Sequence, residues 1–288
     1  MPTKAARKRR VSLDARPAGN GARGIRILHP FPSLLVATLT VVLAVIADPD
    51  ADRFLYLQLG LGMLLFQFAI GITNDIADID VDRASKPWKP LVSGTLSRQT
   101  AVLLAAACAG AGLLLTASLP IGAWMIGAGG LFCGLAYDVS FKRTALSWLP
   151  YAVALPLIPA WVYVSLDAWD ALLWWVFPLG VTLGLALHLA NQSPDLDGDR
   201  QAGVVGAAHR IGGRRSVALA IALFGVVASL VVVVLLFESP GRALLAAINC
   251  ALVVMLAPRA QLFFGRDGLF GLLSAASAIL AVVFLSAV

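Results

Sequence analysis

Charged residues are scarce in this chain. Of its 288 residues only 13% are charged, 59% are hydrophobic, and the mean hydropathy is +0.86. About a quarter of the residues in an ordinary soluble domain are charged, so the composition excludes a water-soluble enzyme. The net charge of +6 comes from residues clustered between apolar stretches, which favours a role in membrane topology over nucleic-acid binding.

Cysteine is scarce as well, and its arrangement suits neither a metal nor a disulfide framework. The three cysteines lie inside apolar runs and form no CxxC pair: Cys108, Cys133 and Cys250. Zinc sites and disulfide scaffolds show paired or regular cysteine spacing. We therefore interpret all three as small buried apolar residues.

What the chain has in abundance is long apolar runs, nine of which approach the roughly 20 residues that cross a bilayer as a helix. A tight corner near Pro120 and a short eighth run make eight spans the alternative. The sequence thus predicts an all-α, polytopic membrane protein with nine transmembrane helices. The predicted spans are 31–47, 54–74, 100–118, 120–137, 145–166, 170–190, 216–237, 243–258 and 268–287.

The basic residues lie almost entirely on one side of these spans. With the N-terminus in the cytoplasm, every Lys and Arg except Arg53 and Arg242 faces the cytoplasm, as the positive-inside rule requires. Residues 1–29 are rich in basic residues, Gly and Pro, which predicts a disordered cytoplasmic tail that sets topology or, alternatively, binds lipid. A membrane domain over 30–288 follows, and we expect an integral protein of a bacterial plasma membrane.

Two polar segments that follow apolar spans resemble one another. The segment from Asn74 to Arg83 (NDIADIDVDR) matches the segment from Asn191 to Arg200 (NQSPDLDGDR) at the Asn, at three Asp positions and at the Arg. They follow the second and sixth spans, so we predict two parallel four-helix repeats plus one helix, arranged around a central cavity. Both acidic motifs then open on the cytoplasmic face.

Each motif carries Asn, Asp and Asp at intervals of four residues, which we interpret as an oxygen-rich stripe on one helix face. Carboxylates crowded at a membrane boundary need cations to neutralise them. Oxygen ligands suit Mg²⁺, which substrate phosphates often complete, so the two stripes predict two Mg²⁺ ions that clamp a diphosphate. The predicted metal ligands are Asn74, Asp75, Asp78, Asp82, Asn191, Asp195 and Asp199.

Four basic residues lie where a diphosphate would need them. Lys86 and Lys89 follow the first motif in a proline-rich turn, and Lys142 and Arg143 follow Tyr137 at the cytoplasmic end of the fourth span. Each is a candidate for charge-assisted hydrogen bonds to phosphate oxygens.

These motifs resemble those of the UbiA superfamily of intramembrane prenyltransferases. The first motif has the form NDxxDxxxD and precedes a KPxRPL-like turn from Lys86 to Leu91. A Tyr-x4-Lys segment runs from Tyr137 to Lys142, and a second DxxxD runs from Asp195 to Asp199. The resemblance covers residues 25–288 and includes the glycine-bounded stretch 203–212.

The resemblance implies a nine-span fold in which two Mg²⁺ ions hold a polyprenyl diphosphate. Asp75 is then an auxiliary ligand or orients a basic residue, Lys142 holds the diphosphate, and Tyr137 stabilises the developing cation. Two positions depart from the family pattern: Lys89 replaces an Arg, and Asn191 replaces an Asp. Lysine lacks the bidentate fork of arginine, and a neutral Asn weakens the second metal site.

The resulting hypothesis is a Mg²⁺-dependent transfer of a polyprenyl group to a small aromatic, quinone-precursor-like acceptor within the membrane. The same metal site is compatible with other reactions, which stay open as alternatives: phosphoribosyl transfer to a polyprenyl phosphate, ether-lipid or haem prenylation, and terpene cyclisation. A secondary transporter is less favoured, since no charged residue lies in the middle of a predicted span. A CDP-alcohol phosphotransferase would need an Asp-Gly-x-x-Ala-Arg segment, which the chain lacks.

Overall fold

The computed structural model describes residues 26–194, 196, 206–264 and 267–287 of the chain, and the secondary structure in these parts is helical. The predicted all-α class is therefore confirmed. The helices are α1 (Pro30–Ala47), α2 (Arg53–Ala77), α3 (Ile79–Ser85), α4 (Arg98–Leu115), α5 (Ile121–Ala136), α6 (Leu149–Ser165), α7 (Val176–Gln192), α8 (Ala207–Ile211), α9 (Gly213–Glu238), α10 (Pro240–Leu256), α11 (Ala260–Phe264) and α12 (Gly268–Leu285).

Eight segments of the described chain are long and apolar enough to cross a membrane, and they contain every long helix except α6. Helix α6 has 17 residues and is also apolar. An integral, multi-pass architecture is confirmed, while nine crossings stay a prediction. The tight corner near Pro120 is confirmed too, because Pro120 directly precedes α5 and Thr116 directly follows α4.

Local sequence signals explain several helix ends. The Asp52 carboxylate accepts a hydrogen bond from the Phe54 amide at the start of α2, and the Ser97 hydroxyl does the same for Thr100 at the start of α4. These caps satisfy amides that lack a partner within the helix. Helices α1 and α10 begin with proline, which lacks the amide hydrogen that would otherwise go unpaired there.

Seven of the long helices surround a central cavity. Along the chain, α1 packs on α2, α5 on α6, α6 on α7 and α7 on α9, and contacts of α12 with α7 and α1 help to close the ring. Helix α4 packs on the outside of α2, and α10 packs on α9 and α12. The first half of the chain therefore contributes α1, α2 and α5 to the cavity wall, and the second half contributes α6, α7, α9 and α12.

Glycines allow two of these helix pairs to approach closely. A Cβ on Gly134 of α5 would lie 2.3 Å from Ile70 of α2. A Cβ on Gly184 of α7 would lie 2.5 Å from the backbone oxygen of Tyr151 in α6. Small residues at helix contacts let membrane helices pack closely, so Gly134 leaves room for a side chain of α2 and Gly184 for the backbone of α6.

The described part of the chain begins before α1. Residues Arg26–Leu28 form a 3₁₀ turn whose Ile27 is 3% exposed, and His29 adopts a left-handed backbone conformation with a φ of 48°. Residues 26 to 29, which the composition assigned to the basic tail, therefore pack on the bundle. Residues 1–25 of the predicted tail lie outside the described residues.

Candidate active site

The first acidic motif lies where α2 ends. Helix α2 stops at Ala77 and α3 begins at Ile79, with Asp78 between them. Backbone hydrogen bonds nevertheless continue through the break, from the Asp78 amide to the Asn74 oxygen (3.0 Å) and from the Asp82 amide to the Asp78 oxygen (2.8 Å). The motif therefore keeps helical spacing, and we call this side of the molecule the motif end of the bundle.

One group of ionisable side chains at the motif end contains two buried aspartates, and we call it the Lys89 cluster: Lys89, Asp75, Asp82 and His29. The Lys89 Nζ atom lies 2.6 Å from Asp75 Oδ1 and 2.5 Å from Asp82 Oδ2. The His29 Nε2 atom lies 3.0 Å from the same Asp75 oxygen. Both aspartates are 2% exposed, so one lysine ammonium pairs with two buried carboxylates at once.

The second group, the Lys142 cluster, consists of Lys142, Asn74 and Asp78. The Lys142 ammonium donates to Asn74 Oδ1 (2.8 Å) and to Asp78 Oδ2. The side chains of Lys142 and Asp78 are 22% and 14% exposed, and Asn74 lines the central cavity. The motif therefore divides between two lysines, one in the interior and one beside the cavity.

Local structure after α5 places Lys142. Residues Tyr137–Phe141 form a π-helical turn, and the Lys142 amide donates to the Tyr137 oxygen (2.8 Å). The next residue, Arg143, donates to the Ala77 backbone oxygen (2.9 Å), which satisfies a carbonyl at the end of α2. Turns of this kind inside helices often occur at functional sites.

Both lysines are held in their charged form. Burial lowers the pKa of Lys89, but Asp75 and Asp82 outweigh that effect, so its pKa lies above the ordinary value. Burial likewise lowers the pKa of Lys142, but Asp78 outweighs that effect, so the pKa of Lys142 also lies above its ordinary value. Neighbouring carboxylates favour an ammonium over a neutral amine, so each cluster contains a fixed positive charge at neutral pH.

The cavity beside these clusters has a volume of about 420 Å³ and an almost entirely apolar wall. Its polar wall residues at the motif end are His29, Asn74, Tyr137, Asp138, Tyr151 and Asn191. The rings of Tyr137 and Tyr151 meet edge to face with centroids 5.0 Å apart, and the Tyr151 hydroxyl accepts a hydrogen bond from the Asn191 amide (3.0 Å). Such a space suits a molecule with a long hydrocarbon tail and a polar head.

The expected stripe of Asn74, Asp78 and Asp82 is not what the structure shows. Asn74 and Asp78 share Lys142, but Asp82 joins Asp75 on Lys89. The reason is helical geometry: at 100° per residue a step of eight drifts by about 80°, whereas the step of seven from Asp75 to Asp82 returns to within about 20°. Lys86 also lies near Asp82, at 3.6 Å.

Of the second motif, only the flanks lie within the described residues. Asn191 belongs to the last turn of α7, which ends at Gln192, whereas Asp195 and Asp199 lie outside the described residues. The Gln192 side chain accepts from the Ala208 amide (3.2 Å), and Ser147 contacts both His188 (3.0 Å) and the Ala207 amide (3.1 Å). Buried hydrogen bonds thus fix the chain on both sides of the motif.

Two residues at the motif end escaped the sequence analysis. His29 contacts Asp75 from the start of α1, where Gly71 leaves room for its ring: a Cβ on that glycine would lie 3.0 Å from the histidine. Asp138 is 6% exposed and lines the cavity. A signal for Asp138 was available, since an acid directly after Tyr137 at the end of an apolar span is rare in a chain with 16 acids.

The described residues contain no group of three His, Cys, Asp or Glu side chains that could hold a metal by itself. The Lys142 cluster nevertheless has a suitable donor set. Its two side-chain oxygens, from Asn74 and Asp78, already converge on one cation, the lysine ammonium. Two hard oxygen donors are a typical partial site for Mg²⁺, which takes its remaining ligands from water and substrate phosphates.

These features define an all-helical, multi-pass membrane protein with an apolar cavity that ends in a cluster of carboxylates and lysines. The sequence profile of the UbiA prenyltransferase family matches residues 34–269, so the chain belongs to the UbiA prenyltransferase family. The resemblance drawn from the motifs is thereby confirmed.

Curated relatives include glycinol 4-dimethylallyltransferase of Glycine max, 24% identical over 197 residues, which are 58% of this chain and 45% of the relative. The probable homogentisate phytyltransferase 2 of Oryza sativa subsp. japonica is 30% identical over 207 residues, 65% of this chain and 53% of the relative. The chain thus spans about half the length of these two relatives.

Among solved structures, the fold is similar to that of a UbiA homologue from Archaeoglobus fulgidus bound to DMAPP and Mg²⁺. The TM-score is 0.70 with 18% sequence identity, and the match covers 91% of this chain and 99% of the homologue. At this identity the likeness establishes the fold alone.

Proposed function

We propose that this protein transfers a prenyl group from a prenyl diphosphate to a small aromatic acceptor in a Mg²⁺-dependent reaction. The observation that carries the proposal is the position of the Lys142 cluster at the polar end of the apolar cavity. A prenyl diphosphate has the matching chemistry, a hydrocarbon tail on an anionic head. The names of the two curated relatives, one for glycinol and one for homogentisate, support a small-molecule acceptor.

We assign Asn74 and Asp78 to one Mg²⁺ ion, because their oxygens converge on a cation beside the cavity. A second Mg²⁺ with Asn191, Asp195 and Asp199 as ligands stays a proposal from the sequence. Bound at the motif end, Mg²⁺ would stabilise the negative charge that develops on the leaving diphosphate. Asp75 and Asp82 are assigned to holding Lys89 rather than to the metal, since both lie in the buried cluster.

Lys142 is our candidate for binding the diphosphate oxygens, through charge-assisted hydrogen bonds from a permanently charged ammonium. Lys86, Lys89 and Arg143 were candidates too, but their protein partners, Asp82, the two buried aspartates and the Ala77 carbonyl, do not line the cavity, whereas Asn74, a partner of Lys142, does. We assign these three to supporting the site. Lys89 then acts through Asp75, which sits one residue from Asn74.

The reaction follows from electrostatics. The allylic C–O bond breaks, the diphosphate leaves with the electron pair, and the resulting carbocation alkylates a ring carbon of the acceptor, which then loses a proton. Tyr137 lines the same end of the cavity, and we assign its ring to stabilising the cation. The apolar wall excludes water that would otherwise capture the cation.

We also propose that the motif end faces the cytoplasm, because the positive-inside distribution of basic residues then holds for all but two of them. Soluble prenyl diphosphate and Mg²⁺ would thus reach the site from the cytoplasm.

Turnover of radiolabelled geranyl diphosphate by the purified full chain tests the proposal, with Mg²⁺ or EDTA and a panel of phenolic acceptors. The variants are Asp78→Asn and, as matched control, Asp80→Asn, whose carboxylate is 87% exposed and lies two residues away. We expect a Mg²⁺-dependent prenylated aromatic that Asp78→Asn reduces at least about 100-fold and Asp80→Asn preserves. A cyclised hydrocarbon without acceptor, or no consumption of geranyl diphosphate, would overturn the proposal.

A further inference from the structure

Asp138 is a buried carboxylate to which the reaction outlined above gives no task. It lies in the π-helical turn after α5 and is 6% exposed. Its Oδ2 atom has no hydrogen-bond partner among the residues that the structure describes. Leaving a buried polar atom without a partner costs free energy, so the position calls for a ligand.

The surroundings of Asp138 do not supply that partner. The nearest positive charge along the chain is Lys142, whose ammonium is engaged by Asn74 and Asp78. Lys89, the other lysine that acts on this carboxylate, is engaged by its two buried aspartates. The remaining charges that act on it, Asp75 and Asp78, are themselves acidic and offer it no donor.

The location of Asp138 decides which molecule can reach it. Its side chain lines the apolar cavity at the same end as Asn74 and Tyr137, where the two substrates must meet for transfer. A carboxyl oxygen that carries no proton accepts hydrogen bonds and donates none. A prenyl diphosphate has only acceptor oxygens and a hydrocarbon tail, so it cannot supply the missing donor. The other substrate is the molecule that can.

We infer that Asp138 binds the prenyl acceptor, by accepting a hydrogen bond from a hydroxyl or amino group, and that it selects acceptors with such a donor over acceptors with a carboxylate there. This inference rests on the proposed function and names the acceptor class more closely. The acids Asp75 and Asp78 also act at this position, so a further negative charge on the acceptor is disfavoured, and phenols or anilines without an acidic substituent fit the site best. Asp138 thus acts as a specificity-determining residue at the acceptor end of the cavity.

The selectivity of the wild-type protein gives a first test that needs no variant. Three matched probes are methylhydroquinone, its di-O-methyl ether and gentisate, each assayed with geranyl diphosphate and Mg²⁺. We expect prenylation of methylhydroquinone, a KM for gentisate at least about 10-fold higher, and no use of the ether. Equal use of the ether, or a preference for gentisate, would overturn the inference.

The variant Asp138→Asn gives the second test, with Asp138→Ser as a smaller replacement and Asp80→Asn as the exposed control. We expect the KM for methylhydroquinone to rise about 10- to 100-fold in both Asp138 variants. The KM for gentisate should rise less than that for methylhydroquinone in Asp138→Asn, because Asn places no acid beside the gentisate carboxylate. The KM for geranyl diphosphate and the Mg²⁺ concentration for half-maximal rate should stay unchanged.

The remaining outcomes separate the competing explanations. A rise in the Mg²⁺ requirement would make Asp138 a metal ligand and overturn the inference, as would equal changes in every KM together with a lower melting temperature. If wild type binds geranyl diphosphate with Mg²⁺ in equilibrium dialysis but prenylates no hydroxyl- or amino-bearing probe, the acceptor inference fails alone. If it binds no geranyl diphosphate, the proposed function fails and this inference with it.

Discussion

The two lysine clusters at the motif end are built from one short motif, yet they occupy different environments. In the Lys89 cluster both carboxylates are 2% exposed, and of its four residues only His29 lines the cavity. In the Lys142 cluster the charges are more exposed and Asn74 forms part of the cavity wall. The difference teaches that residues of one acidic motif can lie in different environments, and on this ground we propose that the Lys89 cluster supports the site while the Lys142 cluster faces the substrate.

The largest effect that we expect comes from Lys89→Met. The substitution leaves Asp75 and Asp82 buried without their shared lysine, and breaking a buried ion pair in this way costs about 3–5 kcal/mol. We therefore expect a large drop in melting temperature in detergent and a loss of activity that follows from it. Lys86→Met is the matched control: its side chain is 26% exposed and 3.6 Å from Asp82, so its melting temperature should change little. Equal melting temperatures for Lys89→Met and wild type would contradict the supporting role.

The second effect comes from Lys142→Met, which should separate activity from stability. The side chains of Lys142 and Asp78 are 22% and 14% exposed, more than the aspartates of the Lys89 cluster, so the folded protein should lose less stability than with Lys89→Met. Loss of the ammonium that we assign to the diphosphate should lower kcat/KM for geranyl diphosphate about 100-fold. Steady-state kinetics and thermal unfolding on the same preparation check this. A variant that unfolds like Lys89→Met but keeps wild-type kcat/KM would reverse the roles of the two clusters.

The division of the first acidic motif between the two clusters could have been predicted from the sequence, although the fold was easier to predict. The lengths of the apolar runs and the positions of the basic residues are enough to predict the helices and to place the first acidic motif at the end of one of them. A bilayer imposes both the length of a spanning helix and the distribution of basic residues. The assignment of Asp82 to a stripe with Asn74 was wrong for a geometric reason, the drift of an eight-residue step. Asp75 and Asp82, seven residues apart, share a face that the same arithmetic predicts.

Contacts between distant segments were not predictable in this way. His29 reaches Asp75 across 46 positions of sequence, and Lys142 reaches Asn74 across 68. Such pairings depend on which helices become neighbours in the ring, and hydropathy does not encode that. Asp138 is the intermediate case, since an acid at the end of an apolar span stands out in the sequence but its missing hydrogen-bond partner is visible only in three dimensions.

A smaller effect, on the free energy of unfolding, should appear at alkaline pH, and it should again depend on the Lys89 cluster. The pKa of Lys89 is raised above its ordinary value of 10.5, so the stability that its ion pairs provide is fully present below about pH 10.5. It is lost only as the pH rises through the higher folded-state pKa, because there the unfolded state has already released the proton. The free energy of unfolding should therefore fall above pH 10.5 in wild type and fall less steeply in Lys89→Met. Urea unfolding from pH 8 to 11.5 measures both slopes, and parallel slopes would refute the linkage.

The smallest effect should come from the exposed ion pair of the same motif. Arg83 lies 3.3 Å from Asp80, and the two side chains are 69% and 87% exposed. An exposed pair gains little Coulomb energy in water, and ordering two mobile side chains offsets that gain. Arg83→Ala should therefore leave the melting temperature and kcat/KM close to wild type in the assays used for Lys89→Met and Lys142→Met. If Arg83→Ala lowered kcat/KM as much as Lys142→Met, the motif as a whole would bind the diphosphate, and burial beside the cavity would no longer be what distinguishes its charged residues.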